Sequence, residues 1–210
     1  MDYIALSSTL RRKKMSIFTF EDIRNLFPEE NTKTIKNNFT RWLLKGYFVR
    51  LKKGLYELVD PSAEFKIPDL YVANKLYSPS YISLETALSI FSIIPDIAAG
   101  VTSVTTRPTR TFKNKYGAFF YRTCKKKCFT GYRLMLYDGC RVYIADKEKA
   151  LVDFLYYRLR SGVTPDFYEE RFNAKILKKI DWKKTFRYAE FFNKKTVITL
   201  KRCKEYTDKC

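Results

Sequence analysis

Lys33, Asn37, Thr40 and Arg41 recur at spacings of three and four residues, with Lys36 at the edge of the same set. On an α-helix such residues share one face. Their chemistry suits duplex DNA: arginine can donate two hydrogen bonds to guanine, asparagine can pair with adenine in the same bidentate way, and lysine neutralises phosphate. A second set follows at Lys52 and Lys53, ahead of Gly54. Glycine there allows a tight hairpin, and the lysines would carry positive charge to phosphate at its tip. A third stretch, Arg107 to Arg141, holds ten basic residues against one acid, Asp138. Its main members are Arg107, Arg110, Lys113, Lys115, Lys125, Lys126 and Lys127, interleaved with Phe112, Tyr116, Phe119, Tyr121 and Tyr132. Charge neutralisation and base stacking together would make a secondary nucleic-acid surface. The same pattern also fits strand core with solvated lysines, and both readings stay open.

Catalytic chemistry finds less material. The chain has no histidine, so no Ser/His/Asp or Cys/His arrangement exists, and no glycine-rich phosphate loop is present. Asp146, Glu148 and Asp153 lie at or near one helix start, where carboxylates cap the helix and complement its dipole. Pro165-Asp166 followed by Asp181-Trp182-Lys183 spells the acid and lysine elements of a metal-dependent nuclease, without the strand hairpin such a site needs. Cys124 and Cys128 form a C-x3-C pair, but Cys140, Cys203 and Cys210 offer no second tight pair, so reduced thiols are expected and no metal. The expectation is a protein that is not an enzyme and uses no cofactor.

Charge points to a polyanionic partner. Forty-one Lys+Arg against 22 Asp+Glu leave a formal +19 on 210 residues. The excess is spread out: 12 basic against 7 acidic residues before position 61, 16 against 8 over 61–160, and 13 against 7 thereafter. Apolar runs such as Ile90 to Ile94 fall far short of the roughly 20 residues that span a bilayer. The N-terminal MDYIALSSTLRRKK has its charges after the apolar residues, unlike a secretory signal. A cytoplasmic protein without membrane contact is expected.

The elements that must position these residues can be read from periodicity. Tyr3, Ile4, Leu6 and Leu10 predict a first helix over Met1 to Lys14. Thr19 and Asp22 form a capping-box pair opening a short helix that carries Ile23, Leu26 and Phe27 and stops at Pro28. Asn31 or Thr32 caps a third helix, to about Lys45, with Gly46 as its left-handed stop. In that helix Ile35, Phe39, Trp42 and Leu43 face the core, opposite the DNA-binding set. Two strand-like runs in Tyr47 to Leu58 flank the Lys52-Lys53-Gly54 turn. Helix, short helix, basic helix and basic hairpin predict a winged helix-turn-helix over residues 1–60. Asp60-Pro61-Ser62 and Ile67-Pro68 mark a boundary, and a second domain spans 67–210. Within it the pattern predicts helices at Pro68 to Leu76, Tyr81 to Ile94 (capped by Ser83) and Asp146 to Leu159. Strands are predicted at Val101 to Thr106, Phe119 to Arg122, Arg133 to Tyr137 and Arg141 to Ile144. The fold class is α+β: a winged helix, a mixed α/β domain and a helical C-terminal tail.

The succession YISLETAL from Tyr81, IPD at Ile94 to Asp96, VTSVTT at Val101 to Thr106, RTF from Arg110 with Gly117 to Tyr121, and ADKEKALVD at Ala145 to Asp153 resembles the AbiEi family of antitoxins. The likeness covers about residues 3 to 160; residues 160–210 share only a helical, basic character. The resemblance implies an antitoxin of a type IV toxin/antitoxin (abortive infection) system. Its winged helix would bind an inverted-repeat operator and repress its own operon. Its second domain would counter a nucleotidyltransferase-like toxin without a stable complex. A stand-alone winged-helix regulator and a nuclease fused to a winged helix remain the alternatives.

Overall fold

The computed structural model describes residues 1–59, 66–95 and 99–210. Asp60-Pro61-Ser62, one of the two boundary signals, and Asp96 of the Ile94 to Asp96 motif lie outside them. Over the described residues the chain is α+β with two sheets, and it divides into two units, Met1–Pro68 and Asp69–Cys210.

In the first unit, α1 (Tyr3–Arg12), β1 (Ile17–Thr19), α2 (Phe20–Leu26) and α3 (Thr32–Leu44) precede a hairpin of β2 (Phe48–Lys52) and β3 (Leu55–Leu58). α1 is shorter at both ends than the predicted Met1 to Lys14: Asp2 caps its start, accepting from the Ala5 N–H at 2.8 Å, and Lys14 turns the chain away at φ +53° after its end. Leu6, Ser7 and Leu10 form the buried stripe, which leaves Ile4 77% exposed. The capping box is present: the Asp22 N–H donates to Thr19 Oγ1 at 3.1 Å and the Thr19 N–H to Asp22 Oδ2 at 2.7 Å. β1, which periodicity does not reveal, pairs antiparallel with β3 in a sheet of order β1-β3-β2. The core gathers Leu6, Leu10, Phe18, Ile23, Ile35, Phe39, Trp42, Phe48 and Leu58. Phe48 is its hub, with ring centroids 5.1 Å from Phe18, 5.3 Å from Phe39 and 6.1 Å from Trp42. Such contacts add about 0.5–1.5 kcal/mol each beyond area burial.

The second unit runs α4 (Asp69–Leu76), β4 (Ser80–Ile82), α5 (Leu84–Ile90), β5 (Val101–Thr105), β6 (Arg110–Asn114), β7 (Gly117–Thr123), β8 (Tyr132–Tyr137), β9 (Cys140–Ala145), α6 (Lys147–Arg160), α7 (Ala174–Leu177), α8 (Trp182–Ala189) and α9 (Lys194–Lys209). Six strands form one mixed sheet, β6-β7-β5-β4-β9-β8, in which β5–β7 and β4–β9 are parallel. The Tyr121 hydroxyl donates to the Ala73 carbonyl of α4 at 2.6 Å, so this ring marks the α4 face. Register carries that face to Ser103 and Ile82 and turns Tyr81 to the other side, toward α6.

The predicted helix over Tyr81 to Ile94 is corrected. Tyr81 and Ile82 belong to β4, near the middle of the sheet, and the helix is confined to Leu84–Ile90. A central strand buried on both faces reads as a continuous apolar run and lacks alternation. Ser83 precedes the helix but its side chain does not cap it; its Oγ donates to Asp153 Oδ2 at 2.8 Å. Tyr81 OH donates to the same oxygen at 3.0 Å, and Lys149 Nζ pairs with Asp153 Oδ1. Lys149 and Asp153 are both fully buried. The YIS and DKEKALVD segments therefore meet in one buried network that ties β4 to α6.

Candidate nucleic-acid interface

α3 is an amphipathic helix fixed on one side only. Asn31 Oδ1 caps it, accepting from the Lys33 N–H at 2.8 Å. Lys45 ends it and Gly46 follows with φ +73°, a backbone state glycine adopts without strain. Ile35, Phe39 and Trp42 are buried in the core, and Leu43 packs half-buried against it. The opposite surface leaves Lys33, Lys36, Asn37, Thr40 and Arg41 all exposed. Thr40 Oγ1 donates to the Lys36 carbonyl at 3.0 Å, so it offers an outside partner its lone pairs. Arg41 Nη2 donates to Asn38 Oδ1 at 3.0 Å, while Asn38 Nδ2 donates to the Met1 carbonyl at 3.2 Å. Asn38 went unnoticed in the sequence because its side chain is half-buried beside the core stripe. Its i,i+3 relation to Arg41 was the available signal.

The hairpin is tighter than the sequence suggests. Lys52 is the last residue of β2, opposite Leu55 and half-buried, so the turn itself is Lys53-Gly54. Gly54 takes φ +81°. Lys53 is exposed at the tip. A register irregularity between Arg50 and Lys52 falls in the strand that leads to this turn.

The third basic stretch is divided by the sheet. Arg107, Arg110 and Lys125 to Lys127 are exposed near one end of β5, β6 and β7, where Cys124 N–H donates to the Thr105 carbonyl at 2.8 Å. Lys113 and Lys115 lie toward the other end, Lys113 opposite Ala118 and Lys115 in the β6–β7 turn. Arg110 pairs in register with Tyr121 and so belongs to the α4 face, whereas Lys113 belongs to the other. Arg107 sits over the Tyr77 ring at 4.8 Å and donates to the Ser78 carbonyl at 3.0 Å. Phe119 and Tyr121 are buried core residues, so they cannot stack on bases. Tyr132 keeps 36% exposure but is stacked on Tyr81 at 4.6 Å.

The acidic residues are engaged structurally. Asp146 caps α6 through the Lys149 N–H at 2.8 Å and also meets Lys184 Nζ at 2.6 Å and Tyr188 OH at 2.9 Å. Glu148, buried, accepts from the Asp181 N–H at 3.2 Å. Burial raises the Asp153 carboxyl above the usual carboxylate range, opposed by Lys149 and by the hydrogen bonds it accepts. In the nuclease-like pattern, Asp181 caps α8 through the Lys184 N–H at 2.9 Å, and Asp166 accepts from the Tyr168 and Glu169 N–H groups at 2.8 and 3.1 Å. Among the described residues no strand lies between them, and no cluster of three metal-ligating side chains occurs. Cys124 and Cys128 are buried thiols; burial pushes Cys124 up to about 12, and Cys128 Sγ donates to the Phe191 carbonyl at 3.2 Å.

No protein-family model matches the chain, and no curated protein matches it in sequence. Among the described residues no helix is long and apolar enough to cross a membrane.

Proposed function

We propose that the first unit is a winged helix-turn-helix that binds duplex DNA through α3 and the β2–β3 hairpin. One observation carries the reading. A helix pinned by Ile35, Phe39 and Trp42 to an aromatic core turns five DNA-compatible side chains to solvent and leads, through Gly46, into a hairpin tipped by Lys53. Asn37 and Arg41 would read base edges in the major groove, while Lys33, Lys36 and Lys53 would meet phosphate. Asn38 would hold Arg41 from behind.

On this reading, and on the resemblance of residues 3 to 160 to the AbiEi antitoxins, the protein is a cytoplasmic repressor of its own operon and an antitoxin. The second unit would counter a nucleotidyltransferase-like toxin. The charge distribution agrees: much of the basic excess lies beyond residue 60 and would add long-range attraction to the operator. The test has two arms. The full chain should shift DNA from upstream of its own gene in preference to a scrambled duplex, and its expression should rescue cells producing the product of the adjacent gene. DNA binding without rescue would leave a stand-alone regulator. Absence of sequence preference would reject the DNA-reading role.

A further inference from the structure

The second unit contains a cleft that the reading of α3 and the hairpin does not use. It has a volume of about 580 Å³ and lies between β7, the end of α6 and the start of α5. Three arginines line it: Arg122 from β7, and Arg158 and Arg160 from the last turn of α6. Arg122 and Arg160 are exposed, and their guanidinium groups have no hydrogen-bond or ion-pair partner among the described residues. Arg158 reaches Glu170 at 3.3 Å through Nη2, and its Nε is buried without a hydrogen-bond partner. Among the described residues, one lining carboxylate, Glu85, and Arg158's partner Glu170 stand against these three cations.

A helix C-terminus is ordinarily a poor place for an anion, because its last carbonyls point outward. Here the Ser161 N–H donates to the Tyr157 carbonyl at 3.0 Å, Gly162 to Leu159 at 3.2 Å and Val163 to Arg158 at 3.1 Å, so these carbonyls are engaged. The walls add half-buried aromatic surface from Phe120 and Tyr157. Tyr157 is held in place by its hydroxyl, which donates to the Thr123 carbonyl at 2.7 Å. Planar guanidinium groups match phosphate oxygens in bidentate fashion, and flat aromatic faces accept a base. A phosphate ion alone would leave most of such a space unfilled, whereas pockets of roughly 300–1,000 Å³ suit ligands of drug size.

We propose that this cleft binds a nucleoside phosphate, with the phosphates on Arg122, Arg158 and Arg160 and the base against Phe120 and Tyr157. The proposal uses no residue of the first unit, so it is tested separately from the reading of α3 and the hairpin.

Isothermal titration of the full chain with ATP tests it, with tripolyphosphate and adenosine as partial ligands. Saturable binding of ATP at one site is expected, with each partial ligand weaker by about tenfold or more. Arg122→Gln and Arg160→Gln, both exposed and so compatible with folding, should each weaken ATP by about tenfold, the loss expected for a charge-assisted hydrogen bond. Lys175→Gln removes the same charge from an exposed site on α7 and should leave the affinity unchanged. Absence of saturable ATP binding would overturn the proposal. So would tripolyphosphate binding as tightly as ATP, or equal weakening by Lys175→Gln, which would mark attraction to a basic protein in general.

Discussion

α3 and α6 use the same residue types in opposite ways. In α3 the cations Lys33, Lys36 and Arg41 stand in solvent, and the buried stripe is wholly apolar: Ile35, Phe39 and Trp42. In α6 every residue from Glu148 to Leu155 is buried, including Lys149 and Asp153 at zero exposure. A solvated cation costs the fold little and remains available to a partner. A buried one must be neutralised by its own protein and is spent on architecture. Placement in the fold, more than residue type, separates the two: α3 buries one stripe, whereas α6 is covered on all sides from Glu148 to Leu155.

The largest effect should come from breaking the buried pair. Lys149→Met leaves Asp153 as an uncompensated charge and is expected to destabilise the second unit by about 3–5 kcal/mol, measured by urea unfolding of the full chain. Lys149→Met/Asp153→Asn should recover most of that loss, because asparagine keeps an oxygen for Tyr81 and Ser83. If the double variant were as unstable as the single, the pair would not be the unit that holds β4 to α6.

The same carboxyl predicts a pH dependence of known sign. Its folded value is raised above the usual 3.8, so in the window between the two the folded chain holds a proton that the unfolded chain has released. This group therefore adds stability as the pH falls through that window and withdraws it as the pH rises. Relative to Asp153→Asn, the parent protein should gain stability on acidification; a loss relative to the variant on acidification would contradict the raised value.

The smallest effect belongs to the hairpin. Lys53→Ala should weaken binding to all duplexes alike and reduce the slope of log affinity against log salt by about 1. A change confined to one sequence would move Lys53 from phosphate contact to base reading.

How much was legible in the sequence follows from how local each signal is. The α3 face, its Asn31 cap and the Gly46 stop are set within fifteen residues, and the Thr19–Asp22 box within four. β1 is three residues long and acquires its identity from β3, about forty residues away. β4 hides inside the run leading into α5, because both its faces are buried. β6 was missed because its residues Arg110, Thr111 and Lys113 are exposed and look like loop. In the third basic stretch, composition grouped residues that the register then sent to different faces and ends of the sheet. Arg158 and Arg160 went unnoticed for the complementary reason: they join Arg122 only once α6 has packed beside β7.

The most direct test of the central claim is the DNA sequence preference of α3. Competition gel shifts of the full chain on its own upstream duplex and on a scrambled one should show that Asn37→Ala and Arg41→Ala each lose roughly 1–3 kcal/mol of preference, with little change on the scrambled duplex. An unchanged preference in both variants would contradict the assignment of α3 as the reading helix.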